Sequence, residues 1–299
     1  MPDFLIIGAY KSGTTSMVQY LGQHPSIFMP WLQEPNYFAY PPSEDSAKRR
    51  PEVDRNTIYR RHRTPGRSQY EALFADAPPG AVIGECSPEY MRSPLACSRI
   101  AAELPNAKLL AILRNPVDRA FSDFQAFVRD SVEQGTFAEA IHRHQRSDPG
   151  YHYVTTGFYG QQLKPYFDAF PSGSIKVVLT EDLRAEGQGV LSDVCDWLGV
   201  DHRGWTPDMT EQRNVSGRPG NAAVALAYRL RRTMRPWVKP LVTKGMQRRA
   251  DALLAAGLRR ETMEPEVRRE LLEVYRDDIS LLQSLIGRDL SVWLTDSRA

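Results

Sequence analysis

The fold of this chain follows from residues 4–16, which read Phe4-Leu5-Ile6-Ile7-Gly8-Ala9-Tyr10-Lys11-Ser12-Gly13-Thr14-Thr15-Ser16. The first four are apolar, as in a buried strand, and a helical pattern follows Ser16. Gly8 and Gly13 leave room for an anion to approach the main chain, and Lys11 adds a positive charge. Because the first turn of a helix has unpaired N–H groups at the positive end of its dipole, these residues predict a phosphate-binding loop.

The loop differs from that of ATP- and GTP-binding proteins. Gly8 and Gly13 match the outer glycines of G-x-x-x-x-G-K-[ST], but Thr14 follows the second glycine and the lysine comes three residues earlier. The apolar run 108–113 ends in Arg114, where a nucleotide kinase would carry a metal-binding acid. The sequence therefore predicts a second cationic site and a ligand with phosphates at both ends. A P-loop nucleotide kinase is kept as an alternative.

Two motifs carry a resemblance to a known family. Lys11-Ser12-Gly13-Thr14-Thr15-Ser16 resembles the 5′-phosphosulfate loop of sulfotransferases that use 3′-phosphoadenosine-5′-phosphosulfate (PAPS). Residues 113–122 resemble their 3′-phosphate motif, in which an Arg and a Ser eight residues later hold the ribose 3′-phosphate. The resemblance is closest to the bacterial and heparan sulfate sulfotransferase branch. It implies nucleotide binding by Lys11, Ser12, Gly13, Thr14, Thr15, Ser16, Arg114 and Ser122.

The catalytic base is also implied by this resemblance. Glu34-Pro35-Asn36-Tyr37-Phe38 is similar to the segment that follows the first helix in that branch, whose Glu acts as the base. Glu34 is therefore expected to take the proton from the acceptor, with Glu85, Glu89 or a histidine as alternatives. His24 is expected to be structural. Cys86 stands where many relatives carry Lys.

A third phosphate-contacting segment is suggested near residue 215. It contains Arg213, Gly217 and Arg218, and a loop at this place in the family closes over the 3′-phosphate. Gly-rich basic loops offer N–H donors and guanidinium groups to phosphate. A linker to the C-terminal helices is the alternative interpretation.

The implied reaction is in-line transfer of a sulfuryl group from PAPS, leaving 3′-phosphoadenosine 5′-phosphate (PAP). Lys11 would stabilise the charge on the departing phosphate, and no metal is expected to be required. The acceptor class is a hydroxyl, or secondly an amine, of a small molecule, glycan or lipid, because the nucleotide motifs do not choose among them. A catalytically silent nucleotide-binding scaffold is the other alternative.

Apolar runs at 3–8, 81–84, 108–113 and 175–180 alternate with helical patterns. This order predicts an α/β protein with a parallel sheet flanked by helices on both faces, the sulfotransferase fold. We expect a single domain over 1–299, with a surface excursion at 41–66 and a helical C-terminal part at 222–299.

Composition adds bounds on location and partners. The formal net charge is only +2, so no nucleic-acid partner is expected, and the three cysteines lack disulfide or zinc spacing. No apolar segment of transmembrane length is present. These features favour a cytoplasmic, bacterial-type enzyme of open oligomeric state. The basic segment 229–249 leaves peripheral membrane contact possible.

Overall fold

A five-stranded parallel sheet forms the centre of the molecule. The computed structural model describes residues 1–40, 66–130, 132–147, 152–210, 217–221, 223–228, 230, 254, 256–259 and 261–295. The strands are β1 (Phe4–Gly8), β2 (Ile27–Phe28), β3 (Val82–Cys86), β4 (Lys108–Leu113) and β5 (Ile175–Leu179). Their order is β2-β3-β1-β4-β5. Four of the five were predicted within two residues at each end, whereas β2 is too short to show a pattern.

Helices connect the strands and follow the last one. They are α1 (Thr14–Leu21), α2 (Arg67–Ala72), α3 (Ala96–Glu103), α4 (Pro116–Arg129), α5 (Phe137–Ser147), α6 (His152–Thr155), α7 (Tyr159–Ala169), α8 (Thr180–Ala185), α9 (Gly187–Leu198) and α10 (Pro265–Ile286). Short 3₁₀ turns cover Tyr90–Arg92 and Ser291–Leu294.

The sheet is buried on both faces, as the alternation of side chains along β1 shows. Leu5 and Ile7 pack into a core shared with α3, α4, α7 and α10. Phe4 and Ile6 point the other way and pack against α1 and α9. Since successive residues of a strand face opposite sides, each strand supplies both cores. The predicted α/β fold with helices on both faces is confirmed.

The C-terminal helix α10 packs against α7, and one of its side chains caps the N-terminus of α7. Asp278 of α10 accepts hydrogen bonds of 2.9 Å from the N–H groups of Gly160 and Gln161. Because the first N–H groups of a helix have no partner within it, this carboxylate satisfies two donors of α7. The predicted helical character of the C-terminal part is confirmed for residues 265–286.

The C-terminal region also contains a feature that the sequence did not predict, and parts of it lie outside the residues that the structure describes. A small antiparallel ribbon pairs β6 (Arg218–Pro219) with β7 (Leu258–Arg259), and no pattern in the sequence predicted it. The excursion at 41–66 lies outside the described residues except for Gly66, and so does the basic segment 229–249 except for residue 230. Within the described parts, no helix has the length and apolar character needed to cross a bilayer.

Candidate active site

The predicted phosphate loop joins β1 to α1. Gly13 is the residue before α1 and has a φ of 99°, a left-handed conformation that suits glycine. No side chain of the described residues caps this helix end, and its first intrahelical hydrogen bond runs from the Met17 N–H to the Gly13 carbonyl at 3.1 Å. The N–H groups of residues 14–16 therefore lie at an uncapped helix N-terminus, which favours an anion.

Lys11 is held inside this loop in a left-handed conformation, with a φ of 64°. Burial lowers the pKa of its ammonium to about 8, and Asp123 partly offsets that effect. Arg114 is among the groups that lower it further. The two cationic residues that the sequence assigned to separate phosphates are therefore electrostatic neighbours. An anion bound between them would raise the pKa of Lys11.

Arg114 follows the last residue of β4. Burial lowers the pKa of its guanidinium, and its Nε is buried with no hydrogen-bond partner among the residues that the structure describes. The next residue, Asn115, caps α4 by accepting from the N–H groups of Val117 (3.0 Å) and Asp118 (3.3 Å). Its own N–H donates to Glu181 at 3.1 Å. Arg114 thus lies between a buried strand and a capped helix, with a donor left to bind a ligand.

Helix α4 carries the remaining residue of the 3′-phosphate motif. Ser122 lies in its second turn and is buried. Near the start of the helix, Asp118 forms an ion pair with Arg268 of α10. The C-terminal helix therefore helps to hold the motif in place.

Thr180 was not singled out from the sequence, but it connects the two phosphate sites. Its hydroxyl oxygen lies 2.6 Å from the carbonyl of Ser12 and 2.9 Å from that of Leu113. The only signal in the sequence was its position at the end of the apolar run 175–180, at the edge where open α/β sheets bind ligands.

Glu34 lies in the loop after β2, also with a positive φ of 57°. Its N–H donates to the Cys86 carbonyl at 3.0 Å, which ties the loop to the end of β3. Burial raises the pKa of its carboxyl to about 7, and Glu89 raises it further. Among the residues that the structure describes, no hydrogen bond or ion pair occupies the carboxylate. Such a group suits a general base at neutral pH.

The alternative acids have other partners. Glu85 is fully buried and accepts hydrogen bonds from Ser87 (2.5 Å) and Tyr70 (3.1 Å). Glu89 forms an ion pair of 2.8 Å with Arg92. His24 is buried and bonded on both ring nitrogens, which agrees with the expected structural role: Nδ1 accepts from the Ser26 N–H and Nε2 lies 3.1 Å from the Asp201 carbonyl.

Cys86 does not replace a lysine electrostatically. Its thiol is buried, and burial together with Glu34 and Glu85 raises its pKa well above the ordinary value. The side chain therefore stays neutral beside Glu34.

The third predicted segment is described only in part. Arg213 lies outside the described residues. Gly217 is buried, and Arg218 on β6 forms an ion pair with Glu261 at 2.5 Å and donates to the Gly135 carbonyl at 2.7 Å. A contact of Arg218 with phosphate would therefore compete with these partners.

The described residues fit a nucleotide with phosphates at both ends. Ser12 Oγ and Arg114 Nε are both buried without a hydrogen-bond partner, although buried polar atoms normally have one. Both belong to the predicted phosphate motifs, and the uncapped N-terminus of α1 adds main-chain donors. These unsatisfied donors are what an anionic ligand requires.

The fold and the predicted phosphate motifs together indicate an anion-binding α/β protein, and a family comparison gives its class. The sulfotransferase family model matches residues 2–207. The chain therefore belongs to the sulfotransferase family. A crystal structure of a sulfotransferase from Alicyclobacillus acidocaldarius is similar over 99% of both chains, with a TM-score of 0.72 and 29% identity. Membership of this family contradicts the alternative that the chain is a P-loop nucleotide kinase.

Curated relatives include heparan sulfate sulfotransferases. Mouse heparan sulfate glucosamine 3-O-sulfotransferase 3B1 is 27% identical over 203 residues, which cover 67% of this chain and 46% of the relative. Mouse bifunctional heparan sulfate N-deacetylase/N-sulfotransferase 1 is 29% identical over 210 residues, covering 67% of this chain and 22% of the relative. The chain thus spans about half or less of the length of these relatives.

Proposed function

We propose that this protein transfers a sulfuryl group from PAPS to an acceptor hydroxyl or, secondly, amine. The observation that carries the proposal is the pair of cationic phosphate motifs at neighbouring strand ends. Lys11 follows β1 and Arg114 follows β4, strands that pair directly. Within the described parts of the chain, each motif has a buried polar atom without a hydrogen-bond partner, Ser12 Oγ in the first and Arg114 Nε in the second. A nucleotide phosphorylated at both ends would satisfy both.

Each of the two motifs is proposed to bind one end of the nucleotide. Lys11 and the N–H groups of residues 13–16, with the hydroxyls of Ser12, Thr14, Thr15 and Ser16, would hold the 5′ end. Arg114 and Ser122 would hold the 3′-phosphate, because a guanidinium offers paired donors to phosphate oxygens. Gly217 and Arg218 are proposed as a cover over this end.

The catalytic roles follow from charge. Bound PAPS would supply an activated sulfuryl group on a phosphate leaving group. The ammonium of Lys11 and the N-terminus of α1 would stabilise the negative charge that develops on that leaving group. Removing one such donor typically costs about 10²–10³ in rate. Glu34, with its pKa raised to about 7 and its carboxylate unpaired among the described residues, would accept the acceptor proton.

The acceptor is proposed only as a class: a small molecule, glycan or lipid. Glycans come first in a test panel, because the curated relatives are named for heparan sulfate. Asn36 stands two residues after Glu34, where some sugar-modifying relatives carry His, and for that reason the panel must be broader than glycosaminoglycans. A cytoplasmic location and a bacterial-type origin remain predictions from the sequence.

Ligand binding and turnover test the proposal together. The purified protein is heated with PAP, with ATP and magnesium, or with buffer, and its unfolding is followed. A ligand present at 100 times its Kd adds about 2.7 kcal/mol to stability. Transfer of labelled sulfate from PAPS is then measured on a panel of hydroxyl and amine acceptors, with Lys11→Ala as the inactive control.

We expect stabilisation by PAP but not by ATP and magnesium, and transfer to at least one acceptor. Stabilisation by ATP and magnesium alone would contradict the nucleotide assignment. PAP binding without transfer to any member of a broad panel would support the silent scaffold instead.

A further inference from the structure

Thr180 occupies a position where the two phosphate sites meet. It directly follows β5, whose last residue, Leu179, pairs with Leu113 of β4. Its side chain is buried, and its hydroxyl oxygen lies 2.6 Å from the Ser12 carbonyl and 2.9 Å from the Leu113 carbonyl. A hydroxyl has one proton, so it donates to one carbonyl or is shared between them.

The two carbonyls belong to the peptide groups that place the ligand-binding donors. The Ser12 carbonyl and the Gly13 N–H form one planar trans peptide, in which the two bonds point in opposite directions. Holding the carbonyl toward Thr180 therefore directs the Gly13 N–H to the opposite side. In the same way, the Leu113 carbonyl fixes the peptide that leads into Arg114.

Glu181, the residue after Thr180, fixes the main chain on the other side of Arg114. The Glu181 carboxylate accepts the N–H of Asn115 at 3.1 Å. The main chain is thus anchored on both sides of Arg114, at the Leu113 carbonyl and at the Asn115 N–H. Thr180 and Glu181 thus fix the backbone on both sides of Arg114, and the Arg114 Nε has no hydrogen-bond partner among the described residues.

A buried tyrosine lies at the same junction. Burial raises the pKa of Tyr159 to about 12, and Arg119, followed by Ser12 and Arg114, offsets part of this rise. One buried hydroxyl group is therefore close to residues of both phosphate motifs. This supports a compact junction in which a small displacement of one loop is felt by the other.

We propose that Thr180 is a positioning residue that sets the placement of the 5′-phosphate loop relative to the 3′-phosphate site, a role that rests on the proposed function. It acts through the peptide groups of Ser12 and Leu113 and does not contact the transferred group. Its loss should therefore matter most for a ligand that bridges both sites.

The test compares Thr180→Val, which keeps the shape but lacks the hydroxyl, with Thr180→Ser, which keeps the hydroxyl. Thr180→Ala is a second hydroxyl-free variant, in case valine at this position impairs folding. Tyr166→Phe is the matched control, because it removes one buried hydroxyl-to-carbonyl hydrogen bond, of 2.6 Å to Tyr90, outside both phosphate motifs. Calorimetry measures the affinity of each variant for PAP and for adenosine 5′-phosphate, which lacks the 3′-phosphate.

In the hydroxyl-free variants, we expect the affinity for PAP to fall about 10-fold, since a misplaced binding group weakens simultaneous contacts. The affinity for adenosine 5′-phosphate should change by less than about twofold, and Thr180→Ser and Tyr166→Phe should bind PAP like the wild type. Wild-type affinity for PAP in Thr180→Val and Thr180→Ala would overturn the role of Thr180 alone. A wild-type protein that does not bind PAP would overturn the proposed function and this role with it.

Discussion

At the scale of single residues, the site contains buried polar groups that have no hydrogen-bond partner among the described residues. Ser12 Oγ and Arg114 Nε are buried and unsatisfied, and Lys11 has a pKa lowered by burial. An unsatisfied buried polar group costs about 1–3 kcal/mol, so folding alone does not account for these positions. A bound anion would reverse each of these costs.

Replacing Lys11 and replacing Glu34 are expected to have different effects on nucleotide affinity and turnover. Lys11→Ala should weaken PAP binding and lower turnover together, because its charge acts on the bound nucleotide and on the charge that develops in the reaction. Glu34→Gln keeps the size of the side chain but cannot accept a proton, so PAP affinity should persist while turnover falls at least about 10². Calorimetry and sulfate-transfer assays measure the two effects. Near-normal turnover of Glu34→Gln would move the base to Glu85, Glu89 or a histidine.

The pH dependence of kcat/KM should be bell-shaped. Glu34 must be ionised to act as a base, and burial raises its pKa to about 7, so the rate should rise as the pH increases through that value. Lys11 must be protonated, and burial lowers its pKa to about 8, so the rate should fall as the pH increases beyond that value. Lys11→Arg should remove the alkaline limb in whatever activity it retains, because arginine stays charged. An acidic limb that persists unchanged in Glu34→Gln would assign that limb to another group.

At the scale of elements, the helices that follow β1 and β4 begin differently. Helix α1 has no side-chain cap, so its first N–H groups are available to a ligand. Helix α4 is capped by Asn115, whose Nδ2 also donates to the Trp293 carbonyl at 3.1 Å. Helix α10 adds the Arg268 to Asp118 ion pair. The 3′-phosphate motif is therefore supported by C-terminal residues that lie beyond the matched range of 2–207.

Arg268→Ala should weaken PAP binding roughly 3- to 10-fold, by the loss of a partly buried ion pair. Asp118 would lose its ion pair with Arg268, and it lies close enough to Arg114 to raise the pKa of that guanidinium. Without that ion pair, the Asp118 carboxylate should compete more strongly with phosphate for Arg114. Adding Asp118→Asn should restore most of the affinity, and Arg269→Ala, at an exposed neighbouring arginine paired with Glu266, should have no effect. Failure of Asp118→Asn to restore binding, measured by calorimetry, would rule out this competition.

At the scale of the whole molecule, the predicted parallel sheet is confirmed, and both candidate phosphate motifs could be proposed from the sequence because each lies in a continuous stretch. Local patterns were sufficient for Lys11 and Arg114, since a Gly-rich turn or a cation follows an apolar run in each case. Thr180 was missed because its role arises from contacts with carbonyls 168 and 67 residues away along the chain. The ribbon of β6 and β7 was missed because two-residue strands show no periodicity.

The central claim is that one ligand bridges the Lys11 and Arg114 sites, and calorimetry of paired nucleotides tests it most directly. PAP and adenosine 5′-phosphate are titrated into the wild type and into Arg114→Ala. The wild type should bind PAP at least about 10-fold more tightly, since charge-assisted contacts to the extra phosphate are among the stronger hydrogen bonds. Arg114→Ala should lose that preference while its affinity for adenosine 5′-phosphate stays nearly unchanged. Equal affinity of the wild type for the two nucleotides, or an undiminished preference for PAP in Arg114→Ala, would contradict the account.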